Sequence, residues 1–229
     1  MKTVHTQAII LKRLNFGEAD RILTVITKDH GKMSFLAKGV RKSKSKLAGG
    51  LELFSVSNVS FIDGKSELKT IVSTQLVRHY GKIVENMQTT MLAYDFLKLI
   101  DQHTQDQCEE QFFDLLDSGL HALTDHHEYP TVVSVWFCSQ LLGLIGSGVN
   151  LERQANGKEF SETDTYQFSF DDMGFFVHPS GQFAPKHIKF LRLLSKVSKP
   201  SNLLQVAQAD TLASDIKPLL QHALLLAKG

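Results

Sequence analysis

Apolar and polar residues alternate along the first 80 residues in five stretches that short turns separate. The stretches are residues 5–14, 21–29, 32–40, 51–63 and 64–77, the last of which begins with a turn, and β-branched residues are frequent in them. The second and third stretches meet around Asp29-His30-Gly31, which fits a hairpin with a short glycine-containing loop. Five strands of this length predict a small closed barrel, and the OB-fold is the leading five-stranded candidate.

From about residue 81 the spacing of apolar residues changes to three and four, which indicates helices. The apolar face predicted for the first helix consists of Val84, Met87, Met91, Leu92, Phe96, Leu99 and Ile100. The face predicted for a second helix, from about Gln107, consists of Cys108, Phe112, Leu116, Leu120 and Leu123. A third helix starts near Pro130 and is apolar almost all round between Val132 and Ile145, which is typical of the centre of a bundle.

The remainder of the chain is less regular before it becomes helical again. Residues 150–183 contain one alternating stretch, "YQFSF", which predicts a small hairpin-like element, and Pro185 opens a further amphipathic helix. The predicted fold class is therefore α+β and multidomain. We predict an OB-fold barrel at 1–80, a central helical domain at 81–150 and a small irregular β-containing element at 151–185. C-terminal helices at 186–229 are expected to pack on the helical domain.

Charge divides the chain into two unlike parts. Residues 1–82 carry fifteen Lys and Arg and six Asp and Glu, whereas residues 83–229 carry ten and eighteen. The net charges are therefore +9 and −8, although the whole chain has a net charge of +1. Such asymmetry suggests a part that binds a polyanion beside an acidic body.

Signals for other classes of protein are missing from the sequence. No apolar run approaches the roughly 18 residues that span a bilayer, and the two cysteines, Cys108 and Cys138, fall in predicted helices as buried thiols. We therefore expect a cytoplasmic protein without a membrane partner. Phosphate-binding glycine motifs and an activated nucleophile are also missing, so we expect a protein that is not an enzyme.

The connection between the third and fourth predicted strands is the main candidate for binding chemistry. Five cations lie within nine residues, with serines between them: Lys38, Arg41, Lys42, Lys44 and Lys46. Such a segment gains affinity for nucleic acid by releasing counterions from phosphates, without recognising sequence. Phe35 on the neighbouring strand is a candidate stacking face for bases. The alternative is a solvated lysine-rich loop that binds nothing.

The segment from Gly17 to Phe54, "GEADRILTVITKDHGKMSFLAKGVRKSKSKLAGGLELF", resembles the amino-terminal signature of the RecO family of DNA repair and recombination mediators. The shared features are Gly-Glu-x-Asp-Arg, His-Gly-Lys at the hairpin, Ala-Lys-Gly-x-Arg-Lys, and Lys-Leu-Ala-Gly. Weaker similarity continues through "QLLGLIGSGVNLERQ" to the end of the chain. The resemblance implies binding of single- and double-stranded DNA, annealing of complementary strands, and association with the nucleoid during repair.

The same resemblance implies partners. They are the single-stranded DNA-binding protein, through its acidic C-terminal tail, and RecR, with RecA reached indirectly as it is loaded onto DNA. A short acidic tail needs an apolar groove beside cations, and Lys189, Arg192 and Lys196 fall at steps of three and four on one predicted helix. We predict these three as partner contacts. A solvated face on a packed helix is the alternative.

The chain departs from the family in one respect. Many members carry two Cys-x-x-Cys pairs that form a zinc site, but their places are taken here by "QANG" at 154–157 and "HPSG" at 178–181. One histidine cannot hold zinc alone, so we expect neither a metal nor any other cofactor. Apolar packing is expected to hold the element instead, through Phe168, Phe170, Phe175, Phe176 and Phe183.

The function predicted is that of a recombination mediator, with the barrel and its basic connection binding DNA. Lys32, Arg13 and Arg21 are second-rank phosphate contacts, and Arg21 could instead pair with Asp20 or Glu18. The opposing hypothesis is an interaction scaffold of the repair machinery, in which the acidic helical body is the working surface. Salt separates the two hypotheses, because phosphate binding weakens steeply as salt rises and apolar docking does not.

Overall fold

In the computed structural model, which describes residues 2–227, the predicted strands of the first 80 residues form a closed barrel. The strands are β1 (Lys2–Phe16), β2 (Asp20–Thr27), β3 (Gly31–Ala37), β4 (Ser55–Asp63) and β5 (Lys69–His79), in the order β1-β2-β3-β5-β4 around the barrel. All neighbours are antiparallel except β3 and β5, which run parallel over two residue pairs. The OB-fold prediction is confirmed.

Alternation along the strands fills the barrel with apolar side chains. Leu23, Val25 and Phe35 point inward from β2 and β3, and Phe61 on β4 packs against Phe35 with ring centroids 5.0 Å apart. Val40 and Leu51, from the connection between β3 and β4, are buried in the same core. The connection is therefore attached to the barrel at both ends by hydrophobic burial.

The chain forms two compact units, Met1–Asp125 and His126–Gly229, which are called unit 1 and unit 2 below. Unit 1 contains the barrel and two helices, α1 (Met87–His103) and α2 (Glu110–Asp125). Tyr80, after β5, joins the barrel to α2, because its buried hydroxyl donates to the Asp117 carboxylate at 2.6 Å. Burial first, and this hydrogen bond second, raise the pKa of the Tyr80 hydroxyl above its ordinary value. The four-part division of the chain stays a prediction.

The apolar face predicted for α1 was partly wrong. Leu92, Phe96 and Ile100 are buried as expected, but Val84, Met87 and Met91 are exposed, and Met87 keeps 80% of its surface accessible. The Thr89 hydroxyl donates to the Ile83 carbonyl at 2.8 Å and is buried. Thr89 thus shares the buried face of the helix with Leu92 and Phe96, and Met87 and Met91, each two positions from Thr89, lie on the outer side.

Unit 2 is built around α3 (Pro130–Leu144), which is buried on nearly every side as its sequence predicts. Against it pack α4 (Pro185–Lys196) and α5 (Ala209–Leu226). The indole of Trp136 donates to the Val197 carbonyl at 3.0 Å and thereby ties α3 to the end of α4. The predicted hairpin is also present, as β6 (Tyr166–Ser169) paired with β7 (Gly174–Val177).

None of the helices within residues 2–227 has the length and apolar character that a membrane-spanning helix requires. Cys138 is buried in α3, and Cys108 is half-buried just before α2. Both remain thiols, and burial raises the pKa of the Cys108 thiol. A thiol in such surroundings has little thiolate character and is a poor nucleophile.

Candidate nucleic-acid interface

The basic connection, defined here as residues 38–50, is held to the β1–β2 turn by two backbone donors. The amide of Gly39 donates to a carboxylate oxygen of Asp20 at 2.7 Å, and the amide of Arg41 donates to the Ala19 carbonyl at 2.9 Å. Gly39 has a φ of +63°, which favours glycine. Two parts of the sequence signature that are 19 residues apart, Asp20 and Gly39, therefore contact each other.

The far end of the basic connection lies against β5. The Thr74 hydroxyl donates to the Leu47 carbonyl at 3.0 Å. A Cβ atom added to Gly50 would lie 2.5 Å from the Thr74 hydroxyl oxygen, so only glycine allows this approach. With both ends fixed, the cations between them are presented on a short segment of defined position.

The five cations predicted as first-rank phosphate contacts are all exposed, and in the described part of the chain none has a carboxylate within ion-pair distance. The guanidinium of Arg41 makes one contact, a 3.4 Å hydrogen bond to the Gly17 carbonyl. The structure therefore leaves the charge of Lys38, Arg41, Lys42, Lys44 and Lys46 available to a phosphate backbone.

Lys32 is used differently from these five cations. Its ammonium donates to the Asp101 carbonyl at 2.9 Å and to the Thr104 carbonyl at 2.6 Å, and the Asp101 carboxylate lies 3.7 Å away. Two of the three ammonium donors are therefore used by carbonyl oxygens, and the carboxylate adds a charge interaction. Lys32 thus joins β3 to the end of α1, and its role as a phosphate contact stays a prediction. The contact spans about 70 residues of sequence, so no local pattern predicts it.

Arg13 and Arg21 lie at the same end of the barrel. The Arg13 guanidinium is 3.9 Å from the Glu52 carboxylate, and Arg21 donates from Nε to the Asn15 side-chain carbonyl at 3.2 Å. The ion pair considered for Arg21 with Asp20 or Glu18 is not present among the described residues, and Asp20 accepts from the Gly39 amide. Neither arginine is as free to meet phosphate as the cations of the basic connection.

The assignment of Phe35 as a stacking face was wrong. Phe35 has no accessible surface and belongs to the barrel core. The aromatic ring that is available near the basic connection is Phe16, at the end of β1, which sequence reasoning missed. Phe35 alternates with the exposed Ser34 and points into the barrel, whereas Phe16 is the last residue of β1 and is exposed like the residues next to it.

The three residues predicted as partner contacts lie on α4 in unit 2 and have different surroundings. Lys189 is exposed and its ammonium lies 2.6 Å from the Glu162 carboxylate. Arg192 is half-buried, donates from Nε to the Leu151 carbonyl at 2.8 Å, and lies over the Phe160 ring. Lys196, near the end of the helix, is exposed and forms no ion pair among the described residues. Their role in binding a partner stays a prediction.

The positions of the family's zinc ligands form two tight turns. The amide of Gly157 donates to the Gln154 carbonyl at 2.8 Å, and the amide of Gly181 donates to the His178 carbonyl at 2.9 Å. His178 is the one zinc-binding side chain in the two turns, and its Nδ1 accepts from the Ser180 amide. Within residues 2–227 no three His, Cys, Asp or Glu side chains are grouped to hold a metal, so these residues do not fit the ion.

Aromatic rings fill the element that carries the two turns. Phe168 and Phe175 lie 4.9 Å apart between centroids, and Phe183 lies 5.4 Å from Phe175. Phe170 adds an edge contact to Phe168 at 4.9 Å. The predicted aromatic cluster is therefore present, except that Phe176 was wrongly included. Phe176 follows Phe175 on β7, points to the opposite face, and lies beside the His178 ring.

Comparison with known proteins matches most of the chain to the two domains of one protein family. The profile of the recombination protein O N-terminal domain matches residues 1–80, and that of its C-terminal domain matches residues 85–212. The DNA repair protein RecO of one Dehalococcoides mccartyi strain is 34% identical over 170 residues, which is 74% of this chain and 66% of that protein.

Two further relatives are similar over shorter stretches. RecO of a second Dehalococcoides mccartyi strain is 36% identical over 152 residues, covering 66% of this chain and 59% of the relative. RecO of Heliobacterium modesticaldum is 32% identical over 124 residues, covering 54% and 45%. The matched part of the chain thus spans less than two thirds of the length of each of these relatives.

Proposed function

The chain belongs to the recombination protein O family, and from this premise we propose that it acts in DNA repair and recombination as a mediator that binds DNA. The observation that carries the proposal is the basic connection, five exposed cations on a fixed segment of an OB-fold barrel with no acidic partner among residues 2–227. OB-folds bind oligonucleotides, and unpaired surface cations supply the phosphate contacts such binding needs.

Annealing of complementary strands follows from the same charge. Two strands held on one positive surface repel each other less than they do in solution, so pairing is favoured without covalent chemistry. We accordingly propose a protein that is not an enzyme and that binds both single- and double-stranded DNA. The partners proposed from the family are the single-stranded DNA-binding protein, RecR and, indirectly, RecA.

The test is binding of a labelled single-stranded oligonucleotide to the intact chain across a range of salt concentrations. The variant changes Arg41, Lys42, Lys44 and Lys46 to Ala. We expect it to lose most of its affinity and to show a salt slope about 3 units shallower, since each phosphate of a single strand that a cation neutralises contributes about 0.7 to the slope.

A matched control removes four exposed lysines that lie outside the barrel: Lys98, Lys158, Lys186 and Lys199. It lowers the net charge equally, and we expect its salt slope to equal that of the wild type. If the variant of the basic connection keeps the wild-type slope, phosphate binding by this segment is refuted. The alternative, a scaffold that works through its acidic helical body, would then be favoured.

A further inference from the structure

Two large apolar side chains are exposed at the end of β1, beside the basic connection. Leu14 keeps 64% of its surface accessible and Phe16 keeps 51%. The turn that follows Phe16 is the one to which the basic connection is attached, because Gly17 and Ala19 provide the carbonyls that Arg41 contacts. An exposed aromatic ring is thus next in sequence to a residue that touches a guanidinium of the interface.

The strand register places these side chains on the same side as the basic connection. Phe16 is directly opposite Asp20, and side chains of opposed residues lie on the same face of a sheet. The Asp20 carboxylate reaches the Gly39 amide of the basic connection. The Phe16 ring therefore leaves β1 on the face from which the basic connection is held.

The same face continues as an apolar row across three strands. Leu14 is opposite Ile22, and Ile22 is opposite Leu36. Ile22 and Leu36 are half-buried, whereas their sequence neighbours Leu23 and Phe35 fill the barrel core. The outer face of β1, β2 and β3 thus offers an apolar surface that ends at an aromatic ring and a cluster of unpaired cations.

We propose that Phe16 stacks on a base of single-stranded DNA whose phosphates are held by the basic connection. The inference rests on the proposed function and specifies that the site favours single-stranded over duplex DNA. An apolar row alone would suit many partners, but five adjacent cations without acidic partners in the described chain select a polyanion. Bases of a duplex are stacked on one another and hidden, so the ring adds affinity only for unpaired strands.

The experiment compares Phe16→Ala with the wild-type chain on single-stranded and duplex DNA of equal length. Stacking on one base predicts a roughly tenfold loss of affinity for the single strand, with duplex affinity unchanged within about twofold. The salt slope should stay at the wild-type value, because no charge is removed. Phe16→Trp keeps a stacking surface and should bind the single strand at least as tightly as the wild type.

The control variant is Tyr129→Ala, which removes an exposed aromatic ring from unit 2 and should bind both DNAs as the wild type does. A strand of the same length made of abasic residues serves as a second probe. Phe16→Ala and the wild type should bind it equally, because it offers phosphates but no bases.

Two results would overturn the inference. One is unchanged single-strand affinity of Phe16→Ala, which would assign the apolar row to another partner. The other is an equal loss on the abasic strand, which would mean that the ring positions the cations and does not stack. Either result leaves the salt-dependent binding of the basic connection intact, whereas failure of the proposed function appears in the Arg41, Lys42, Lys44 and Lys46 variant.

Discussion

The basic connection of unit 1 and the α4 cations of unit 2, Lys189, Arg192 and Lys196, are alike in how closely the cations follow one another in sequence. They differ in what surrounds the cations in the structure. Both bring several cations together within a dozen residues. The cations of the basic connection extend into solvent without acidic partners among the described residues, while Lys189 and Arg192 on α4 contact Glu162, Leu151 and Phe160 of their own unit. Clustering of cations in the sequence therefore does not reveal whether their charge is available to a binding partner.

The difference has a compositional cause. The basic connection, residues 38–50, contains no Asp or Glu, and glycines and serines accompany its cations. The segment that meets α4 carries Glu152, Glu159 and Glu162, which lie around Lys189 and Arg192 in one polar surface depression. An acidic segment that folds back onto a group of cations therefore lowers the charge that those cations offer to a partner.

The largest effect on stability is expected at Lys32, a cation of unit 1 that contacts other residues of the same unit. Lys32→Met should lower the free energy of unfolding by about 2–3 kcal/mol, because the Asp101 and Thr104 carbonyls lose a charged donor and the Asp101 carboxylate loses a partner. Lys44→Met should change it by less than about 0.5 kcal/mol, since Lys44 is exposed and unpaired. Urea unfolding followed by circular dichroism measures both; equal stabilities would remove the distinction between these two lysines.

The second effect concerns Arg192 on α4. Arg192→Ala removes a charged hydrogen bond to Leu151 and the interaction with the Phe160 ring, and should cost unit 2 about 1–2 kcal/mol. Trp136 is the single tryptophan and lies in α3, so its fluorescence reports the unfolding of this unit. Lys196→Ala is the control on the same helix and should unfold as the wild type does. An unaltered midpoint for Arg192→Ala would show that this cation is not structurally engaged.

Alternation and helical spacing were sufficient to predict the barrel, its hairpin and the central position of α3. These features depend on local sequence, since a strand with one buried face repeats every two residues and a surrounded helix has no polar face. The basic connection was also found by sequence, because its five cations lie within nine residues.

The errors share a physical origin in contacts that the spacing of apolar and charged residues does not show. The contacts of Lys32 with the Asp101 and Thr104 carbonyls were missed because these residues are about 70 positions away, and its phosphate role stays a prediction. The inner face of α1 includes the polar Thr89, whose hydroxyl donates to the Ile83 carbonyl before the helix begins, so the spacing of apolar residues alone did not give this face. Phe16 was overlooked because its position beside the basic connection depends on strand register and on the Asp20 carboxylate.

A smaller effect is expected for binding of the acidic tail of the single-stranded DNA-binding protein to α4. Glu162 lies 2.6 Å from the Lys189 ammonium and would compete with the carboxylates of the tail. Glu162→Gln should therefore tighten binding of a tail peptide about two- to threefold. The Lys189→Ala/Lys196→Ala variant should weaken it several-fold. Both changes are modest because an exposed ion pair contributes less than about 1 kcal/mol. The Lys98→Ala/Lys158→Ala variant controls for net charge. Unaltered peptide affinity in the first two variants would remove α4 from the site.

The last prediction is that a metal chelator does not change the stability of unit 2. Both turns of its small β-element are closed by hydrogen bonds of their own: the Gly157 and Gly181 amides donate to the Gln154 and His178 carbonyls, and the His178 Nδ1 accepts from the Ser180 amide. Gly181 also packs so closely on Tyr166 that an added Cβ would lie 2.5 Å from its backbone. Packing of this kind fixes the element without a cross-link.

Elemental analysis of the purified chain should accordingly find no stoichiometric zinc, and a chelator should leave the Tm unchanged. A structural zinc site contributes its binding free energy to folding, so its removal would lower the Tm clearly. His178→Ala provides the matching variant, since it deletes the one zinc-binding side chain of the two turns. One zinc per chain, together with a Tm lowered by chelator, would refute the prediction. Unit 2 would then depend on an external ligand for its stability, as the proposed interface of unit 1 depends on one for its function.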